Sequence, residues 1–118
     1  MEHNELLPIG SVVRLKKATH DLMIIGYTPM RQEQEPKIYD YWGVFYPEGM
    51  LKPEQSFVFN RDRIDKIVNV GYSTEKEKEF RTKVDKVLRE VKNPDGSLKM
   101  SQNELAVYMS KILVGGVK

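Results

Sequence analysis

Ile38-Tyr39-Asp40-Tyr41-Trp42-Gly43-Val44-Phe45-Tyr46 carries bulky apolar or aromatic side chains at both parities of a strand-type run, and that limits what this chain can fold into. Alternate residues of a strand point to opposite faces, so Ile38, Trp42, Val44 and Tyr46 look one way while Tyr39, Tyr41 and Phe45 look the other. Both faces need cover. A small one-sheet domain buries one face in its own core, and its own helix or another protein must cover the second. Shared parity with Ile38, Val44 and Tyr46 assigns Trp42 to the core. Tyr39, Tyr41 and Phe45 are then expected under a helix or at a partner surface.

The flanking segments read as further strands. Ser11-Val12-Val13-Arg14-Leu15 follows the turn residues Pro8 and Gly10, and Leu22-Met23-Ile24-Ile25-Gly26-Tyr27 pairs with it as a hairpin. Residues 28–37 hold Pro29, Pro36 and a polar run, which predicts an exposed loop. Pro47-Glu48-Gly49 stops the aromatic strand. Ser56-Phe57-Val58-Phe59 is a fourth strand with both Phe on one face, Asn60 can cap one helical turn over residues 61–66, and residues 67–72 form a fifth strand. Five short strands with one helical turn before the last is the order of an SH3-like barrel. Gly10, Gly26 and Gly43 fit turn or close-packing positions.

At Ser73 the period changes from two to 3.6. Thr74 with Glu77 reads as a capping box, and Phe80, Val84, Val87, Leu88 and Val91 share one stripe. Glu77/Arg81, Glu79/Lys83 and Asp85/Arg89 are i,i+4 pairs on the other faces. Asn93-Pro94-Asp95-Gly96 ends this helix, 74–91. Ser101 with Glu104 starts another, 101–114, with Leu105, Tyr108, Met109, Ile112 and Leu113 apolar and Gly115-Gly116 at its end. This helix either docks on the sheet or offers Tyr108, Met109 and Ile112 to a partner. The expected fold is therefore α+β: one domain, 1–118, in which a five-stranded antiparallel SH3-like bent sheet or half-barrel (1–72) is followed by two C-terminal helices (73–118).

Charge narrows the function. Residues 1–72 hold nine Lys/Arg against ten Asp/Glu, and residues 73–118 hold ten against seven. The aromatic part is not the basic part, whereas polyanion binding needs cations beside its stacking residues. A nucleic-acid partner is not expected, although the aromatics and a pI near 8.8 keep an SH3-like RNA- or ribosome-associated module as the alternative. No apolar run approaches the roughly 20 residues that span a bilayer, so no membrane partner is expected. The start, Met1-Glu2-His3-Asn4-Glu5, lacks the basic opening and apolar core of a signal peptide, and the expected location is the cytoplasm.

With no cysteine, disulfides, thiolate metal sites and thiol nucleophiles are excluded. His3 and His20 lack partners at metal-ligand spacing. Asp62 and Asp65 flank Arg63, a poor catalytic unit. No phosphate loop or nucleophile elbow occurs. The reading therefore assigns no catalytic residue, no metal and no cofactor. The candidate partner-binding residues are Tyr39, Tyr41, Phe45, Tyr108, Met109 and Ile112, and the oligomeric state is left open.

Residues 7–16 (Leu-Pro-Ile-Gly-Ser-Val-Val-Arg-Leu-Lys), 22–27, 39–49 (with Tyr46-Pro47-Glu48-Gly49) and 59–67, ending in Gly71-Tyr72, resemble a small Firmicute family of unknown function encoded beside LXG-toxin genes of the type VII secretion system. The resemblance covers about residues 6–72. It implies a non-enzymatic accessory or targeting factor, chaperone-like, that engages the helical N-terminal domain of a secreted toxin or its small helical partners. Secreted substrates of that system carry Tyr-x-x-x-Asp/Glu, but here the fourth residues after the six Tyr are Arg31, Gly43, Phe45, Met50, Lys76 and Ile112. The expectation is a helper that stays inside or leaves only when bound to a signal-bearing partner.

Overall fold

A computed structural model describes residues 5–32 and 34–114. His3 and the Gly115-Gly116 stop lie outside those residues. The fold is α+β, with a five-stranded antiparallel sheet followed by two helices. The strands are β1 (Val12–Leu15), β2 (Leu22–Tyr27), β3 (Met30–Arg31), β4 (Lys37–Ile38), β5 (Tyr41–Phe45), β6 (Ser56–Phe59) and β7 (Ile64–Asn69). The sheet runs β6-β5-β2-β1-β7, with β3-β4 as a separate two-stranded hairpin inside what reads from sequence as an irregular loop. It is open, with β6 and β7 as its two edges.

Register fixes the faces. Val13 pairs with Leu22, Leu22 with Phe45, Ile24 with Gly43, Gly43 with Phe57, Tyr27 with Tyr41 and Tyr41 with Phe59, so these residues share the inner face. Val12, Met23 and Val44 line up on the outer face, where Trp42 pairs with Gly26 and Val58. A bulge between Ile24 and Gly26 keeps the alternation in step on both sides of it.

The parity argument for Trp42 is overturned. Trp42 is 40% exposed, whereas Tyr41 is fully buried in the core. The run is not one strand. It bends at Tyr39-Asp40, where Asp40 N–H donates to Asn60 Oδ1 at 3.0 Å and Tyr39 N–H to Pro29 O at 2.9 Å. Ile38 belongs to β4, reaches the core independently, and donates its N–H to Gly96 O across the fold at 3.0 Å. Its parity therefore says nothing about residues 41–45. β7 likewise begins at Ile64 rather than Ile67, because the helical turn is a short 3-10 turn, Arg61–Arg63.

Helix α1 (Glu75–Val91) forms as the stripe requires, with Thr74 Oγ1 accepting the Glu77 N–H at 3.1 Å. Val84, Val87, Leu88 and Val91 are buried with Val13, Ile24, Ile38, Tyr41 and Phe59. Phe80 is 40% exposed, however, and meets only the rim, 6.4 Å from the Tyr27 ring. Helix α2 (Gln102–Met109) starts with a complete capping box between Ser101 and Glu104 and continues as a π-helical turn, Ser110–Val114. Leu105 enters the core and Tyr108, Met109 and Ile112 pack against it half-buried, so α2 is docked.

Candidate functional site

Helix α1 covers only part of the inner face. Along β5 the inner side chains run from Tyr41, fully buried, to Phe45, half-buried, and beside Phe45 stands Phe57, exposed on β6. Here the sheet opens into a groove of about 1010 Å³. Leu15, Leu22, Phe45, Phe57 and Phe59 form its floor. Its walls are the β1–β2 connection (Ala18, Thr19, His20), the segment before β6 (Glu48, Leu51, Gln55) and the 3-10 turn with Asn60, Asp62 and Arg63; Tyr39 closes one end. The volume and apolar lining suit a binding cleft.

The rings of the floor lock one another. Phe45 and Phe57 lie 4.8 Å apart between centroids at 59°, and the His20 ring sits edge-on to Phe45 at 4.7 Å. His20 Nε2 also meets Glu48 Oε1 at 2.9 Å, which ties two walls together across the mouth. That hydrogen bond to His20 holds the exposed Glu48 carboxyl below its ordinary value. Leu51, in the same wall as Glu48, is 71% exposed. The groove thus offers an aromatic floor and a polar rim, where Arg63 stands with Glu48 and Asp62 and His20 bonds to Glu48.

A buried polar cluster fixes the wall opposite. Asp40, 4% exposed, accepts hydrogen bonds from Arg61 N–H at 2.9 Å, from Arg61 Nε at 3.0 Å and from Lys92 Nζ at 3.2 Å. Arg61 Nη2 donates onward to Asp85 at 2.9 Å, and Lys92 Nζ donates to Asn60 Oδ1 at 2.5 Å. Asn60 therefore does not cap the 3-10 turn with its side chain, as its position suggests, but holds the bend at Asp40 to α1. Burial opposes the Asp40 charge, yet the Arg61 hydrogen bonds and the Arg61 and Lys92 charges outweigh it and hold the carboxyl below its usual range. These contacts orient the turn that carries Asp62 and Arg63 into the groove wall.

Of the six residues singled out from sequence, Tyr39 and Phe45 line the groove. Tyr41 lies behind it with no exposed surface: its hydroxyl accepts Leu7 N–H at 2.8 Å, and burial pushes its pKa up to about 12. It holds the N-terminal segment to the sheet and has no area to give a partner. Tyr108, Met109 and Ile112 lie on α2 and its π-turn, away from the groove lining, with Tyr108 hydroxyl bonded to Glu90. The groove residues not singled out include Leu15, Leu22, Phe57, Leu51 and His20. Phe57 carried a signal, since it shares a face with Phe59, but where α1 ends over that face is a tertiary fact.

Among the described residues no group of three or more His, Cys, Asp or Glu is placed to hold a metal ion, and no helix is long and apolar enough to cross a membrane. A family model described as a domain of unknown function, DUF4176, matches residues 6–80. The match spans the sheet, the groove and the first turns of α1. No curated protein and no solved structure matches the chain.

Proposed function

The chain belongs to the DUF4176 family, and from that premise we propose that it is a non-enzymatic protein-binding accessory factor whose partner seats in the aromatic groove. The observation that carries this reading is the uncovered part of the inner face, where Phe45, Phe57 and Leu51 present apolar area that the chain's own helix leaves open. Clusters of exposed aromatic and aliphatic side chains in a concave site are where interface energy concentrates. The resemblance to proteins encoded beside LXG toxins supports a specific form of the proposal. The partner is then the helical N-terminal domain of a type VII toxin, or a small helical protein bound to it, and the factor acts inside the producing cell as a chaperone-like targeting factor.

Co-expression with an LXG toxin from the same genome tests the proposal. The two should elute together at micromolar concentration, as a specific accessory would. Separate elution overturns the targeting role. The second reading, an RNA- or ribosome-associated module, is favoured by Tyr39, Phe45 and Phe57 lying with Arg63 in one cleft. Glu48 and Asp62 on the same rim oppose it. Salt-sensitive, sub-micromolar RNA binding by fluorescence anisotropy would select it.

A further inference from the structure

The two edges of the sheet are built differently. Edge strand β7 carries the exposed charges Asp65 and Lys66, and its pairing with β1 is broken by two register shifts, between Val12 and Val13 and between Arg14 and Leu15. Charges and bulges are the devices that stop a sheet edge from recruiting another strand. Edge strand β6, Ser56-Phe57-Val58-Phe59, has no charge and no proline, and pairs with β5 in unbroken register over all four residues.

The direction of its free backbone groups follows from the ladder. Tyr46 N–H donates to Asp21 O at 3.0 Å, on the β2 side of β5, whereas Phe45 O accepts from Gly49 N–H at 2.7 Å, on the β6 side. Hydrogen-bonding direction alternates along a strand, so Tyr41 and Gly43 also turn toward β6, opposite Phe59 and Phe57. Phe57 and Phe59 therefore spend their backbone groups on β5. Ser56 and Val58 point theirs away from the sheet. A strand added there would run beside Phe57 and Phe59, and every second side chain it carried would fall on the inner face, at the β6 side of the aromatic groove.

We infer that β6 and the adjoining groove form one site for an extended, uncharged segment of a partner protein with apolar side chains at alternate positions, which adds to the sheet as a sixth strand. Backbone hydrogen bonds to Ser56 and Val58 hold the segment, and the inner-face ring of Phe57, with Phe45 beside it, selects its side chains. A helix would fill the groove but leave the Ser56 and Val58 groups unused, since its own backbone is internally bonded. The segment is an extended stretch of the partner outside any helices it has, so the inference goes beyond the reading above and does not depend on which protein supplies it. A toxin could fail to co-purify while a strand still bound.

The test is an NMR titration of the isotopically labelled full chain with a capped hexapeptide of alternating Thr and Phe or Val. Saturable shifts should map to residues 56–59 and to Phe45. Val58→Pro removes an outward N–H where an edge strand tolerates proline, and should weaken binding by roughly fivefold through the one lost backbone hydrogen bond. Two further peptides, N-methylated on complementary sets of alternate amides, probe the wild-type protein without any substitution. One should lose binding and the other keep it. Equal binding of both peptides, undiminished binding to Val58→Pro, shifts confined to α2, absence of saturable shifts at millimolar peptide, or an edge already occupied in a concentration-dependent dimer that Val58→Pro dissolves would each overturn the inference.

Discussion

Lys92 Nζ lies 3.2 Å from Asp40 Oδ1, joining the last turn of α1 to the bend before β5 across 52 residues of chain. Arg61 holds the other Asp40 oxygen at 3.0 Å, so one buried carboxylate fastens the helix, the bend and the 3-10 turn together. Its removal leaves two cations with reduced compensation in a part-buried site. Asp40→Asn should destabilise the fold by about 3 kcal/mol, in the range for breaking one side of a buried ion pair, as read from denaturant midpoints.

The same group sets an acid limit. The Asp40 carboxyl titrates in the unfolded chain near its ordinary value of 3.8 and below it when folded. Its stabilising contribution is therefore complete above that value and is lost as pH falls from there through the folded pKa. Thermal melts should show wild-type stability falling more steeply than that of Asp40→Asn below a pH of about 4. Parallel profiles for the two proteins would contradict this.

Tyr41 and Trp42 are neighbours with opposite fates, and they mark how far the sequence could be read. Alternation along β5 was legible, as were three of the five sheet strands near their observed bounds, the α1 stripe and the Ser101–Glu104 capping box. The bend at Tyr39-Asp40 was not, because it is held by Asn60, Pro29 and Lys92, none of them local to it. Counting parity across it assigned Ile38 and Trp42 to one face and reversed inside and outside for the aromatic pair. The groove was legible by halves: Tyr39 and Phe45 could be named from their residue types, whereas Leu22 and Phe57 depend on where α1 stops.

Tyr41→Ala should cost about 3–5 kcal/mol, because it empties a fully buried site and removes the acceptor for Leu7 N–H. Trp42→Ala should cost much less, about 1–2 kcal/mol, since the side chain is 40% exposed on the outer face, packed over Gly26. As Trp42 is the one tryptophan in the chain, its fluorescence offers an independent check. Emission should be partly quenched by iodide in the native state. A blue-shifted, quencher-resistant spectrum would return Trp42 to the core.

Gly43 pairs with Phe57 and lies beneath the Phe59 ring. A methyl group there would sit 3.0 Å from Phe59 Cε1 and 3.2 Å from Met23 O, and the backbone oxygen is fixed by the ladder. Gly43→Ala should therefore destabilise by about 1–3 kcal/mol through overpacking, despite alanine's smaller loss of backbone entropy on folding. Gly49, with nothing near its missing Cβ but φ of +76°, is the useful contrast. Gly49→Ala should lose stability through backbone strain alone, by about 1 kcal/mol, and should leave the Phe59 packing intact in aromatic side-chain NMR spectra.

Binding should separate from stability at the groove. Phe57 is at the surface, on the floor beside Phe45, so Phe57→Ser removes aromatic area from the site without opening a core cavity. It should lower folding stability by about 1 kcal/mol yet weaken a groove-bound partner by about 2 kcal/mol, on the order of thirtyfold in affinity. Tyr108→Ala provides the opposing arm, because Tyr108 lies on α2 outside the groove lining and bonds to Glu90. If the partner uses the groove, affinity falls for Phe57→Ser and holds for Tyr108→Ala. The reverse order, measured by titration calorimetry on both variants, would move the interface to Tyr108, Met109 and Ile112 and leave the groove without a role in that complex.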